Sequence, residues 1–535
     1  MTERHTAEEL ERRREEFVVQ AKAAFDQMFG QDGKNGLVTF TDREDRACEA
    51  TDVLARWLLE EHLAWDEAKE PGVQVECPIC GGPVGHESAE EAASERRELH
   101  TRRGKIEYER AARRCPRCRK VFSLLDEQLK LGTEGYSRRL LQKIEYAGAN
   151  EGSFQQGRRA LQALAELSIS AKHVQRITER LGEERRQQRE AQVAAMKAGT
   201  LRPTYPNAPP VAAIHLHAGK LQLREEDGQP GVREPRWADS KVGCFLTYTG
   251  RAGKDDPQPH PPAVFLDPPR VMRLCREMER VRSQPSLPKT ESRKESPPLV
   301  IEEHEERIER PARLVRTAVA TLEPTEPFGW MVAAEAMRRG FYEASHKAVV
   351  GDGGNWIGPL ADFHFPGWIQ VLDFLHLLVH LYAAATAAYG KDSRRAWDTY
   401  VCWLRGAWAG QVDELLAGLE EECRRLGKPP PQASESDPRR ILSLTLEYIK
   451  SNEHRMDYAC FRREGLPITS APVESLIKQF NQRVKGTEKF WNKAGAECVL
   501  QVRAAYLGDD DRGERFHEQR PRGRAVARNR KKLAA

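Results

Sequence analysis

A chain of 535 residues is longer than one hydrophobic core usually fills, so several domains are expected. Its 85 Lys and Arg nearly balance 81 Asp and Glu, so a net charge of +4 argues for no particular partner and the distribution of charge must be read instead. No apolar run reaches the length of a membrane span and the opening MTERHTAEELERRREEF has no signal-peptide core, which gives the expectation of a cytoplasmic protein away from membranes. Eleven cysteines, four of them in two tight pairs, fit that compartment rather than a disulfide framework.

Residues 5–29 and 42–68 carry the spacing of amphipathic helices rich in Glu and Arg. ECPICGGPVG and RRCPRCRKVF follow, placing Cys77 and Cys80 in one knuckle and Cys115 and Cys118 in another, with 34 residues between. Each CxxC turn offers two thiolates, and four around one tetrahedral zinc make a closed, structural site. The intervening ELHTRRGKIEYERAARR alternates as a hairpin would. Arg113, Arg114, Arg117, Arg119 and Lys120 crowd the second knuckle and give the expectation of a phosphate-facing surface.

The helical pattern returns from 136 to about 195. Within it, SFQQGRRALQALAELSISAKHVQRITERLGEE reads as helix, break, helix, with Ser170 as N-cap of the second. Val174, Ile177 and Leu181 mark its buried face, while Lys172, Gln175, Arg176 and Glu179 lie outside, as a DNA recognition helix would present them. An ordinary helical hairpin would show the same pattern.

Beyond the Pro-rich linker at 204–210 the period changes to two. AAIHLHAGKLQLR (212–224) reads as a strand, a tight turn at Ala218-Gly219 and a second strand; KVGCFLTYTG is a third. His215 and His217, two apart, share one face. Residues 283–311 are polar and Pro-rich, an expected exposed insertion. FGWMVAAEAMRRGF is a helix, and HKAVVGDGG is a short buried strand ending in Asp352. WIQVLDFLHLLVHLY puts Asp373 and His376 three apart on one helix face, in a stretch (369–460) that is mostly helical. GLPITSAPVESLIKQFNQRVKG begins a helix at Ser470 with Glu474 in its first turn, where an acid also suits the helix dipole and can pair with Lys478. The last residues, basic and polar, read as a disordered tail.

An opening meander, then a strand ending in Asp, then a helix carrying Glu, is the plan of RNase H-like nucleotidyltransferases. The chain also resembles a known family, over about residues 70–510: the bacterial insertion-sequence transposases of the Kra type, in the mutator-like part of the DDE superfamily. The likeness rests on CPICGG with RRCPRCRKVFSLLDEQLKLG, on PFGWMVAAEAMRRGF, VVGDGGNWI and FPGWIQVLDFLHL, and on MDYACFRREGLPITSAPVESLIKQFNQRVKGTEKFW and GAECVLQVRAAYL.

That resemblance implies a multidomain α+β chain: N-terminal helices (1–70), a zinc ribbon (71–130), a helical DNA-binding region (131–200), an RNase H-like core (208–368 and 463–510) interrupted by an all-α insertion (369–462), and a basic tail (511–535). It implies a homo-oligomeric transposase that binds double-stranded DNA at element ends and at a target. Asp352 and Glu474 become the second and third catalytic acids holding Mg²⁺ or Mn²⁺, with 121 residues between them, and Asp373 and His376 fill a D-x-x-H signature. The family's first strand ends in Asp-Gly-Gly; here His217, Ala218 and Gly219 stand in those places. Neutral imidazole brings one nitrogen and no charge, so impaired catalysis is expected, or a DNA-binding protein without catalysis. Asp227 and Asp239 are nearby acids but not at that strand tip, and a nitrogen there could instead serve Mn²⁺ or a softer metal.

Overall fold

The structure is a computed structural model that describes residues 6–30, 39–66, 75–84, 94–132, 134–205, 207–224, 236–250, 252–283, 312–391, 393–486 and 489–520. It is a mixed α+β chain in two compact units, one of residues 1–146, 160–168 and 514–535, the other of 147–159 and 169–513. The polar insertion expected at 283–311 falls almost wholly outside the described residues, as do Asp227 and the tail beyond 520.

The first unit opens with helices α1 (Ala7–Phe29) and α2 (Phe40–Ala64). Each starts at a threonine that bonds the amide three residues on, while the acid there bonds back: Thr6 with Glu9, Thr39 with Asp42. Two short antiparallel strands, β1 (Val75–Glu76) and β2 (Pro83–Val84), flank the first knuckle. The hairpin of β3 (Ser94–Thr101) and β4 (Gly104–Arg114), extended by β5 (Val121–Ser123), forms a three-stranded sheet, and α3 (Leu124–Gln128) follows. Asp126 ties this sheet together, buried against Arg97, Arg110 and the Tyr108 hydroxyl.

Helices α4 (Arg138–Asn150), α5 (Phe154–Ala165) and α6 (Ala171–Lys197) come next. The second unit is built on a five-stranded sheet of β6 (Val211–Leu223), β7 (Arg236–Tyr248), β8 (Arg313–Thr321), β9 (His346–Gly351) and β10 (Ile369–Leu372), in spatial order β10-β9-β6-β7-β8. β6, β7 and β8 are antiparallel neighbours, while β9 and β10 run parallel to β6. The helices are α7 (Pro268–Ser283), α8 (Thr325–Arg338), α9 (Ile357–His364), α10 (Phe374–Tyr389), α11 (Arg394–Trp408), α12 (Val412–Leu426), α13 (Pro438–Asn452), α14 (Tyr458–Arg463), α15 (Ala471–Val484), α16 (Lys493–Tyr506) and α17 (Arg512–Gln519).

Period two sorts the sheet's side chains between two cores. Val211, Ala213, Leu221, Ala348 and Val350 face the larger one, with Leu377, Leu442, Val473, Leu476 and Val499 of the helices. Ala212, Ile214, Leu216 and Val349 face the smaller one, with Val332 of α8 and Ile357 of α9.

Four expectations need correction. There is no turn at Ala218-Gly219: β6 runs unbroken through both, because β7 pairs with it over its full length from Val211↔Tyr248 to Leu223↔Arg236. The third antiparallel strand is β8, RLVRTAVAT, which lies just after the Pro-rich stretch and pairs with β7. Residues 369–372 are strand, not the start of the helical stretch, because they pair in parallel with β9. And the tail is ordered at its root: α17 carries Phe516 and His517 into the first unit's interior, where His517 Nε2 lies 2.7 Å from Oε2 of the buried Glu145.

Candidate functional site

Strand register assembles one constellation in the second unit. Leu216 of β6 is opposite Gly351 of β9, and Gly351 is opposite Leu372 of β10. One residue further along, three neighbouring parallel strands therefore present His217, Asp352 and Asp373, all on the face of the larger core by alternation. Helix α15 packs on that same face through Val473, Leu476 and Ile477, and brings Glu474 in its first turn. The turn after Asp352 depends on Gly353, whose φ is +79° and where a Cβ would meet the Tyr448 ring at 2.7 Å.

His217 Nδ1 is 3.1 Å from Oδ2 of Asp352. That nitrogen is buried and makes no hydrogen bond of sound geometry, so the contact is a close approach of a ring nitrogen to a carboxylate oxygen rather than a formed bond. Asp352 also accepts from the Gly354 amide at 3.1 Å, and its own carbonyl accepts from the Tyr448 hydroxyl at 3.0 Å. Burial pushes the Asp352 pKa up, but His217, the charge of His376 and the Gly354 amide outweigh it and hold it down at about 2. His215, two residues earlier on the same face, is fully buried beside the Tyr248 hydroxyl, and burial drives its pKa down to about 4.

Asp373 has a different job. It is fully buried and caps α10, accepting from the amides of Leu375 and His376, both at 3.3 Å. It also accepts from the Ser470 amide at 2.8 Å and contacts His376 Nδ1 at 2.5 Å. These contacts use the roughly four lone-pair sites a carboxylate offers, so Asp373 orients its neighbours and has little left for a metal. Burial lowers the His376 pKa, but the bond to Asp373 and the charges of Asp352 and Glu474 win, and the net shift is upward. Glu474 Oε1 lies 3.9 Å from His376 Nδ1 and accepts from the Ser470 hydroxyl at 3.3 Å, so the acid in this first turn looks into the constellation. Ser470 therefore starts its helix without a side-chain cap. Its amide and hydroxyl, together with the Tyr448 hydroxyl, are site contacts that no local pattern announced. Asp239 stands opposite Lys220, three residues on from His217, about 10 Å along a strand.

The four paired cysteines of the first unit come together. Cys77 Sγ is 3.7 Å from Cys118 Sγ and Cys80 Sγ is 3.6 Å from Cys115 Sγ. Four sulfurs at about 2.3 Å from a tetrahedral zinc would be about 3.8 Å apart, so the cluster could hold a structural metal such as zinc. The knuckles repeat one geometry. The amide four residues past the first cysteine bonds back to that cysteine's carbonyl, at Gly81 and at Arg119, and both residues have positive φ, 67° and 57°. The Cys118 and Arg117 amides point at the Cys115 sulfur and bring its pKa down to about 7. For Cys118 the Lys120 amide works in the same direction, but burial and the three neighbouring sulfurs push the pKa up to about 11.

Among the described residues, two groups of three or more His, Cys, Asp or Glu have ligand atoms all within 4.8 Å: the four cysteines, and Asp373 with His376 and Glu474. Asp352 belongs to neither.

The expected DNA-facing residues divide. Arg114, Arg117, Arg119 and Lys120 are exposed around the second knuckle, whereas Arg113 is 3% exposed and cannot face phosphate, because its position in β4 turns it inward. In α6, Lys172 and Arg176 are exposed, while Gln175 is half-buried and donates to Glu179 at 2.7 Å. The Ser170 hydroxyl accepts from the His173 amide, and Val174, Ile177 and Leu181 are buried. The helix continues to Lys197 against α16, where Gly182 is required because a Cβ would meet the Cys498 carbonyl at 2.4 Å.

Neither a scan against protein-family models nor a search of curated proteins finds a match for this chain. Among the described residues no helix is long and apolar enough to cross a membrane.

Proposed function

We propose that this chain is an insertion-sequence transposase by descent, of the Kra-type, RNase H-like kind. It binds double-stranded DNA through its front half, and its strand-cleaving site is impaired. The observation that carries the reading is the register that sets His217, within β6, beside Asp352 and Asp373 just past the ends of β9 and β10, under a helix whose first turn holds Glu474. The antiparallel β6-β7-β8 followed by a parallel strand ending in an acid suits the RNase H-like plan. Helices α10–α14, between the second and third acids, suit the all-α insertion.

In enzymes of this plan a pair of Mg²⁺ ions activates a nucleophile and stabilises the leaving oxygen. The residues here do not fit that pair. Asp352 and Glu474 are the carboxylates with capacity to spare, Asp373 is saturated by its own hydrogen bonds, and His217 supplies a nitrogen where a bridging carboxylate is needed. The second reading, a transposase-derived DNA-binding protein without catalysis, is favoured by this same misfit. In both readings the cysteine cluster serves as a zinc ribbon, and the exposed arginines beside it meet phosphates, in the cytoplasm and as a homo-oligomer.

Two measurements test the proposal. The full chain should shift linear duplex DNA at low salt and lose it steeply as salt rises. Strand cleavage of an element end with Mg²⁺ should be weak or absent in the natural chain. No duplex binding at low salt removes the transposase reading altogether.

A further inference from the structure

The α1–α2 hairpin carries an apolar face that stands exposed. We infer that this face docks the same face of a second copy, so that two hairpins close a four-helix bundle. The inference rests on the proposed function only for the expectation of a homo-oligomer, and it names the surface that makes one.

The face is placed by three sets of contacts. The two helices run antiparallel, since Arg13 near the start of α1 pairs with Glu61 near the end of α2 and lies 4.7 Å over the Trp65 ring. α2 packs on the hairpin of β3 and β4 by one side: Asp52 takes Arg103 at 3.1 Å, Glu60 accepts from the Glu107 amide at 2.8 Å, and Leu63 packs with Leu99 and Ile106. Phe40 and Leu58 are exposed on the opposite side of α2, about five full turns apart. On α1 the exposed Leu10, Phe17, Phe25 and Phe29 fall within about 120° of one another at about 100° per residue, and the rings of Phe25 and Phe29 stack at 4.4 Å. Each stripe lies about a quarter-turn from the edge that meets the other helix, in the same rotational sense. Because the helices are antiparallel, both stripes therefore turn to one side, away from the sheet.

Burial, area and charge decide the occupant. Among the described residues α1 buries none of its own and α2 only Ala50, so the hairpin has no dry interior, as expected of half a bundle. Phe25 is 60% exposed and Phe40 78%. At their fractional exposures the six side chains leave roughly 600 Å² of apolar surface in water, counting a large side chain as about 150–250 Å². With Val18 and Leu59 beside them the face exceeds the roughly 300–600 Å² that monomers leave open and approaches the ~800 Å² per partner of a standard interface. α1 holds six acids against four Lys or Arg, and α2 seven against three, so the hairpin repels phosphates of DNA and of anionic lipid alike. Its helices, 23 and 25 residues long, match in length, so the face can be covered end to end by its own copy about a two-fold axis.

The test is sedimentation velocity of the full, zinc-loaded chain without DNA, over a micromolar concentration series. A reversible dimer is expected. Phe25→Glu and Leu58→Glu, each alone, should weaken it by at least about tenfold, because each sets a charge where a large apolar side chain is buried between copies. Val19→Glu is the control: Val19 is exposed on α1 but off the stripe, and its variant should keep the dimer. The comparison is read on variants whose circular dichroism and zinc content match the natural chain. A natural chain that stays monomeric, or a dimer that both Phe25→Glu and Leu58→Glu leave intact, overturns the inference. So does a monomer that dimerises only after residues 521–535 are deleted, since the occupant is then the chain's own tail, or one that floats with phosphatidylcholine vesicles, since it is then lipid. With no DNA in any arm, the transposase reading is judged separately, on duplex binding.

Discussion

The nitrogen of His217 and the carboxylate of Asp352 meet at 3.1 Å because Leu216 and Gly351, the residues before them, are partners in the parallel pairing of β6 and β9. An imidazole thus touches the acid that a transposase of this plan would commit to metal, and the consequence is open to restoration. His217→Asp should raise Mg²⁺-dependent cleavage of a matching element end by a large factor, about a thousandfold if several kcal/mol of transition-state stabilisation return. The gain should vanish in His217→Asp combined with Asp352→Asn or with Glu474→Gln. An equal rate in the natural chain and in His217→Asp, measured on the same DNA, would count against a site lacking only this ligand. Restoring glycine at Ala218 should add nothing, because residue 218 lies within a continuous strand.

The cysteine cluster should hold one zinc per chain. Cys77→Ser should release it and loosen the first unit, because the two knuckles have little other core to hold them: Val84 and Phe122 pack with the sulfurs. Metal analysis after gel filtration, with thermal melting, checks both parts; retention of the metal would sink the assignment.

DNA binding should separate Arg113 from its neighbours. Changing Arg114, Arg117 and Arg119 together to Ala should lower affinity and reduce the slope of log K against log salt by up to about 3, close to one for each phosphate no longer neutralised. Arg113→Ala, at a site 3% exposed, should lower the melting temperature and leave the slope unchanged. Deleting 521–535, which holds six Arg or Lys and no acid, should weaken binding to all sequences alike.

Acid stability should depend on Glu335. This fully buried carboxylate lies 2.6 Å from Arg512 and 2.7 Å from the Thr317 hydroxyl. Burial raises its pKa, but Arg512, Arg338 and Arg189 outweigh burial and the net shift is strongly downward. A carboxylate depressed in the folded state contributes stability that is present above its unfolded pKa of about 4.3 and is lost as pH falls from there towards the folded value. Glu335→Gln should therefore destabilise the second unit at neutral pH, by about 3–5 kcal/mol for breaking a buried pair. It should also flatten the fall in stability below about pH 4. Urea unfolding at several pH values reads both effects.

What the sequence determined by itself was local. CxxC spacing placed two pairs of thiols, the Ser170 hydroxyl started a helix, Asp352 ended a strand, and the two-residue step put His215 and His217 on one face. Each of these is settled within a turn or a few residues of chain, where hydrogen bonding and periodicity act directly. The tertiary structure decided the rest. β6 lost its expected turn because β7 offered a full-length partner, and such pairing outweighs a local Ala-Gly signal. Asp373 was legible as a helix-cap acid, but its saturation came from the Ser470 amide, 97 residues away in sequence. Arg113 and Arg114 look alike in the chain, yet the pleat of β4 buries one and exposes the other. His217, Asp352, Asp373 and Glu474 became one site only through the register of three strands and the seat of one helix, since burial and non-local pairing depend on partners that no single segment contains.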